Sequence, residues 1–276
     1  MPPKLRILAF HGYTSNSFIL HRRLGSVRKA CRDVADIVTL NGPLLVQPIS
    51  RSLDAPEGED EVTEATPIEE QPRAWWKSTD EGSYKDVEKT WKLLSEELAK
   101  LDGPVDGVIG FSQGACLAGL LAAAFESPSL LPALKLPEGQ GPLKFAIAIS
   151  GFRSRDPEHQ PLWKDEQGGI ETPLLHILGK ADQIVDEERS MTLVHAAKNS
   201  RVEHHAGGHV VPSQAPWRNF MRDYIASFQE GAEKDGWKNV LGPAARSGED
   251  AGGEGDSAPP SGTATPTTTT SKRPGL

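Results

Sequence analysis

The sequence predicts an α/β protein in which a mostly parallel, doubly wound sheet carries helices on both faces. Apolar, strand-like runs alternate along the chain with segments of helical periodicity, giving roughly six strands. The runs at residues 145–150 and 173–178 are almost wholly apolar, which is typical of strands covered on both faces. At 276 residues and 37% apolar content, the chain is large enough to bury one sizeable core.

The predicted elements follow one another in a regular order. Strands are expected at residues 5–10, 35–40, 105–109, 145–150, 173–178 and 202–205. Helices are expected at residues 18–31, 84–101, 115–122, 186–198 and 216–228. Residues 127–137 combine four leucines with three prolines, so they form either a small cap over a cleft or a connection packed on the sheet.

The composition divides the chain into one domain and a tail. We expect the domain over residues 1–232, with an acidic loop at about 51–70, and a disordered tail over residues 242–276 with little to bury. Between Asp54 and Glu70 there are eight acids and no Lys or Arg, which accounts for the formal net charge of −8. This imbalance gives no support to nucleic-acid binding, which needs a basic face.

Cysteine usage and the N-terminus bear on location. Two cysteines, Cys31 and Cys116, are too few for a disulfide framework and suit a reducing compartment. The apolar run after Lys4 and Arg6 is too short for a signal peptide, and no stretch approaches the length of a membrane span. We therefore expect a soluble cytoplasmic protein, with the nucleus as an alternative.

The most informative stretch is Gly110-Phe111-Ser112-Gln113-Gly114, which matches G-x-S-x-G. It lies between an apolar run and a helix of small residues, the strand–turn–helix context of a nucleophile elbow. Ser112 must occupy a strained turn there, and glycines two residues away on either side leave room for it. The alternative is an ordinary turn between a strand and a helix.

Two further polar residues follow later strands and complete a catalytic set. Asp182 comes after the strand at 173–178 and His209 after the strand at 202–205, so both are expected at the sheet edge where Ser112 lies. A serine needs a base to take its proton, an imidazole can take and return it, and a carboxylate orients the imidazole. The order Ser, Asp, His is that of the α/β-hydrolase fold. Asp186 competes with Asp182, but it is better placed to begin the next helix.

The loop after the first strand is expected to complete an oxyanion hole. In this fold such a loop supplies one backbone N–H, here from Tyr13, and the residue after the nucleophile, Gln113, supplies the other. The alternative is a plain turn that caps the next helix through Ser15 or Asn16. His11 either orients the site or is an ordinary loop histidine.

Four apolar residues are candidates for a substrate pocket. Trp75 and Trp76 are costly to expose, so they either pack in the core or form a pocket wall. Phe152, after the strand at 145–150, and Leu134, in the leucine- and proline-rich segment, could complete that wall. No cofactor is expected, and a metal site at His205 and His209 is disfavoured because two glycines break the helix that such a pair needs.

Several further motifs are distinctive when taken together: Leu5 to Gly12, Asn41-Gly42-Pro43, Glu69 to Trp76, Asp106 to Ala115, Ile149 to Phe152, His176 to Val185, and Gly207 to Pro212. With these motifs the chain resembles the FSH family of serine hydrolases. The resemblance spans about residues 4 to 230. It implies an α/β-hydrolase fold with a small cap or loop insertion, and a triad of Ser112, Asp182 and His209 that hydrolyses carboxylic esters. A thioesterase that releases polyketides is the alternative activity, and a non-catalytic binding module of the same fold is the alternative class.

Overall fold

The computed structural model describes residues 2–47, 62–163 and 169–246. Its main strands are β1 (Leu5–Phe10), β2 (Ala35–Leu40), β3 (Gly107–Phe111), β4 (Phe145–Ile149), β5 (Leu174–Gly179) and β6 (Ser200–His205). Its α-helices are α1 (Ser17–Arg23), α2 (Gly25–Ala30), α3 (Val87–Ala99), α4 (Gln113–Glu126), α5 (Glu187–Val194) and α6 (Ala215–Ala226). The first two strands have the predicted bounds.

One six-stranded sheet organises these elements. Its spatial order is β6-β5-β4-β3-β1-β2, and every neighbouring pair is parallel. Alternate strand residues point into two hydrophobic clusters, one shared with α3, α4 and α5 and the other with α1, α2 and α6. The predicted fold class, a doubly wound parallel sheet, is therefore confirmed. Its carboxyl edge lies where β1, β3, β4, β5 and β6 end, and this edge carries the candidate site.

The helix predicted at residues 18–31 is two helices. Leu24 separates them with a backbone of φ −84° and ψ 2°, outside the α-helical range, and Gly25 follows as the first residue of α2. Glycine is a poor helix former, which favours a break at this point. Leu24 is nevertheless fully buried, so both short helices share one apolar face against the sheet.

The leucine- and proline-rich segment does not cap the site. Leu131 and Leu134 are buried in the cluster that includes α3 and α4, and the Lys135 N–H donates to the Ser95 hydroxyl on α3. Leu130 lines a cavity of about 580 Å³ together with Pro173, which precedes β5. The segment is therefore a packed connection at the amino edge of the sheet.

The described chain remains packed beyond the start of the expected tail. Residues 243–246 form a short 3-10 helix in which Pro243 is buried, and the Arg246 guanidinium pairs with Asp223 of α6 at 2.8 Å. Residues 247–276, and the acidic loop from 51 to 61, lie outside the described residues. Within the ranges described, no helix is both long enough and apolar enough to cross a membrane.

Candidate active site

Ser112 occupies a strained turn between β3 and α4. Its backbone has φ 56° and ψ −117°, a region that residues other than glycine rarely adopt. A Cβ on Gly110 would lie 2.0 Å from the Gly114 carbonyl oxygen, and a Cβ on Gly114 would lie 2.1 Å from the Phe10 carbonyl oxygen. Both glycines are therefore sterically required, and they let the turn expose the Ser112 side chain at the amino end of α4.

The Asp182 carboxylate and the His209 imidazole are hydrogen-bonded. The distance from His209 Nδ1 to Asp182 Oδ2 is 2.8 Å, and the Ser150 hydroxyl donates to the same oxygen at 2.8 Å. The other oxygen accepts the N–H groups of Ile184 at 3.0 Å and Val185 at 2.9 Å. Burial alone would raise the pKa of Asp182, but these hydrogen bonds outweigh it and lower that pKa. The carboxylate is thus held ionised and in one orientation.

The competing carboxylate, Asp186, has a different role. Its Oδ1 accepts the Arg189 N–H at 2.8 Å as the N-cap of α5. Its side chain is exposed at the surface, whereas Asp182 is buried. The structure therefore brings Asp182, and not Asp186, to the histidine.

His209 lies next to the strand end that carries the serine. Its imidazole packs on the ring of Phe111, with centroids 4.7 Å apart, and Phe111 immediately precedes Ser112. A neutral imidazole whose Nδ1–H donates to a carboxylate has a lone pair on Nε2, the atom that can accept a proton.

The loop after β1 approaches Ser112 from the other side. A Cβ on Gly12 would lie 3.2 Å from the Ser112 Cβ, so the loop passes directly beside this serine, and Tyr13 is the next residue along it. Among residues 2–47, 62–163 and 169–246, the backbone N–H groups of Tyr13 and Gln113 have no hydrogen-bond acceptor. Two unpartnered N–H groups near one serine are what an oxyanion hole requires.

His11 is a fully buried part of this loop. Its Nδ1 is 2.7 Å from the Gly12 carbonyl oxygen, and its Nε2 accepts the Gly42 N–H at 2.9 Å. Nδ1 therefore carries the proton. Burial lowers the pKa of His11 to about 4, so the ring is neutral near pH 7. His11 therefore supports the structure of the loop after β1.

The two tryptophans are core residues, and the expectation that they form a pocket wall is wrong. Trp75 is fully buried and Trp76 is 1% exposed. The Trp76 ring stacks on Tyr84 with centroids 4.6 Å apart, and Trp75 packs edge-on against Phe10. Neither indole leaves a surface that a substrate could contact.

The other two pocket candidates lie apart from each other. Phe152 is nearly buried, with the Arg189 guanidinium 3.8 Å above its ring, and it lines a cavity of about 260 Å³ together with Arg189 and Thr192 of α5. Leu134 follows the far end of α4, whose 14 residues span about 21 Å from Ser112. The structure therefore excludes Leu134 from the site, because the helix carries the chain away from Ser112.

Sequence reasoning missed two features of the site. One is Ser150, which supports Asp182 from a backbone φ of 50°; its position after a buried strand and before a glycine was the available signal. The other is a set of exposed apolar side chains, which we call the apolar rim: Tyr13, Ile184 and Val210, exposed at 39%, 66% and 49%. Each belongs to a loop that carries a site residue, and isolated apolar residues in polar loops give no periodic signal.

His205 and His209, the pair considered as metal ligands, have different partners. His209 bonds Asp182, whereas His205 accepts the Gly207 N–H at 3.2 Å and packs edge-on against Trp217. In the part of the chain that the structure describes, no cluster of three or more His, Cys, Asp or Glu side chains could hold a metal ion.

The carboxyl edge of this parallel sheet carries an elbow serine and a histidine bonded to a buried carboxylate. This combination is typical of the α/β-hydrolase-fold serine hydrolases. A family model described as "Serine hydrolase (FSH1)" matches residues 1–221. The chain belongs to this family.

Curated relatives agree over most of the chain. Esterase OVCA2 of Xenopus tropicalis is 31% identical over 81% of this chain and 93% of its own length. Esterase CG5412 of Drosophila melanogaster is 31% identical over 83% of this chain and 78% of its own length. A solved structure of acyl-protein thioesterase 2 from Zea mays is similar in fold, with a TM-score of 0.54 and 17% identity over 83% of this chain and 95% of the other.

Proposed function

We propose that the protein hydrolyses carboxylic esters through a triad of Ser112, His209 and Asp182. The observation that carries the proposal is the 2.8 Å bond from His209 to the buried Asp182, beside a serine at a strained elbow. The curated relatives are named esterases, which supports ester hydrolysis by this chain.

In the acylation step, His209 Nε2 takes the Ser112 proton as Oγ attacks the ester carbonyl carbon. The carbonyl oxygen becomes an oxyanion that accepts the N–H groups of Tyr13 and Gln113. Asp182 stabilises the imidazolium, which then protonates the departing alkoxide. The products are an alcohol and an acyl ester of Ser112.

In the deacylation step, His209 takes a proton from water, and the resulting hydroxide attacks the acyl carbon. A second oxyanion forms in the same hole and collapses as Ser112 Oγ leaves with the proton from the imidazolium. The released product is a carboxylic acid. These steps use side chains, backbone N–H groups and water.

The nucleophile is tested by Ser112→Ala with a fluorophosphonate probe, which reacts only with an activated serine. We expect no labelling and a kcat lower by about 10⁶, because the attacking atom is gone. Ser95→Ala on α3 is the matched control and should label normally. Labelling of Ser112→Ala at another residue would refute the assignment, and an intact protein that neither labels nor hydrolyses any ester would indicate a binding module.

The leaving group is tested with paired substrates. Thioesters pass through the same two steps, so oxygen esters and thioesters of one acyl group should be compared at equal concentration. A kcat/KM higher for the oxygen ester supports the proposal. A kcat/KM higher for the thioester by tenfold or more would replace it with a thioesterase.

A further inference from the structure

Trp75 is hydrogen-bonded through every polar group it has. Its backbone N–H donates to Gln113 Oε1 at 3.0 Å, and its indole Nε1–H donates to the His11 carbonyl at 2.8 Å. Its own carbonyl accepts the Thr90 hydroxyl. For a fully buried residue this satisfies all polar atoms, and it fixes the backbone and the ring together.

The partners of Trp75 are the two segments that carry the oxyanion donors. Both polar atoms of the Gln113 side-chain amide are bonded, since its Nε2 also donates to the Trp76 carbonyl at 2.9 Å. The same residue offers its backbone N–H beside Ser112. A clamp on the side chain therefore restrains the position of that N–H.

On the other segment, two successive peptide planes are fixed. The His11 carbonyl is held by the Trp75 indole, and the Gly12 carbonyl is held by His11 Nδ1. The Gly12 carbonyl and the Tyr13 N–H belong to one planar trans peptide and point in opposite directions. Anchoring the carbonyl therefore also fixes the direction of the Tyr13 N–H, in the loop that approaches Ser112 at Gly12.

Close backbone packing leaves this assembly little freedom. The His11 ring lies against Trp75, with centroids 5.1 Å apart. A Cβ on Gly42, which donates to His11, would lie 2.5 Å from the Ala74 carbonyl oxygen, next to Trp75. A Cβ on Gly114 would lie 2.6 Å from the His11 carbonyl oxygen, the acceptor of the indole.

We propose that Trp75 is a positioning residue that holds both backbone donors of the oxyanion hole, one through the Gln113 side chain and the other through the His11 carbonyl. This inference rests on the proposed function. Trp75 contacts no substrate, so its effect falls on the transition state, in which the oxyanion forms, and not on substrate binding.

The variant Trp75→Phe tests this, because it retains an aromatic ring and both backbone bonds and removes only the indole N–H and some volume. Loss of one oxyanion donor lowers kcat by 10² to 10³, so loosening one should lower it by about tenfold. We expect KM within about twofold of wild type. The rate constant for phosphonylation of Ser112, which also forms charge in the hole, should fall with kcat.

The matched control is Trp91→Phe. Trp91 is buried in the same hydrophobic cluster, on α3, and packs on His159 rather than on the oxyanion loop. Both variants lose an indole from the core, so both should lower the melting temperature, but Trp91→Phe should keep kcat and the phosphonylation rate within about twofold. Equal losses of kcat in the two variants would overturn the proposal.

A second substitution, Gln113→Met, removes the side-chain hydrogen bonds to Trp75 and Trp76 and keeps the backbone N–H of residue 113. The Gln113 side chain and the Trp75 indole both act on one oxyanion hole. The factor by which kcat falls in the double variant with Trp75→Phe should therefore be smaller than the product of the two single factors. Multiplicative losses, or a rise in KM with kcat unchanged, would contradict the proposal. A wild-type protein in which Ser112 is not phosphonylated would instead refute the proposed function itself.

Discussion

The substitution Asp182→Asn tests the proposed role of the Asp182 carboxylate with little change in volume. The N–H groups of Ile184 and Val185 both donate to one oxygen of Asp182. An asparagine must keep its oxygen there, because its NH₂ group cannot accept those bonds. Its Nδ2 then occupies the position that faces His209 Nδ1 and the Ser150 hydroxyl.

The imidazole consequently receives a hydrogen bond where it previously donated one. Its proton moves to Nε2, which loses the lone pair needed to accept the serine proton. We expect kcat to fall by about 10⁴, the loss typical of a wrong tautomer. At 1.36 kcal/mol for each factor of ten, this is about 5.4 kcal/mol of transition-state stabilisation.

The assay is kcat and kcat/KM on a p-nitrophenyl ester, with the melting temperature measured in parallel. Asp186→Asn is the matched control, because asparagine and aspartate cap helices about equally well and Asp186 serves only α5. Activity of Asp182→Asn within tenfold of wild type would refute the reasoning. A larger loss in Asp186→Asn would move the acid to that residue.

Two other predictions concern the apolar rim and acid stability. Replacing Ile184 and Val210 together by Thr should lower the octanoyl-to-acetyl ratio of kcat/KM by fourfold or more, since each methylene buried on the rim contributes about 0.8 kcal/mol. The control is Val38→Thr, because Val38 on β2 is exposed at 47%, about as much as Val210. This variant should leave the ratio unchanged, and an equal drop in it would exclude the apolar rim as a contact for the acyl chain. Burial lowers the pKa of His11 to about 4 and that of His176 to about 3. Below pH 6.5 the unfolded chain therefore binds more protons than the folded chain, and the free energy of unfolding falls as the pH falls. In urea titrations the free energy of unfolding should fall between pH 7 and 4 by at least the loss of about 3 kcal/mol that His11 contributes. A free energy of unfolding that does not change over this range would contradict these pKa values.

The parts of the fold that could be predicted are those that depend on the residue pattern within a short stretch of sequence. The bounds of β1 and β2 follow directly from their apolar residues, and the two glycines around Ser112 mark the elbow. Asp186 as the start of α5 was also readable, because its position before a helical pattern indicates an N-cap.

The parts that could not be predicted depend on where helices end in space. Leu134 follows the nucleophile helix in sequence, but α4 carries the chain about 21 Å to the opposite edge of the sheet. Nearness along the chain therefore does not give nearness to the site. The same limit applies to Ile184 and Val210, which follow β5 and β6, two strands that are apart in the sequence but paired in the sheet.

For the tryptophans, the sequence showed that exposure would be costly but not which groups their N–H donors reach. The bond from the Trp75 indole to His11 joins positions 64 residues apart. The bond from its backbone to Gln113 joins positions 38 apart. No periodicity carries such information.

The burial of α4 links the position of Ser112, which precedes this helix, to the unfolding of the whole molecule. Thirteen of its 14 residues are buried, and it packs across β1, β3 and β4. A helix without a solvent face cannot fray or open by itself, so its amides should exchange with deuterium only when the sheet itself comes apart. Heat inactivation of the enzyme and its global unfolding should therefore follow one and the same curve.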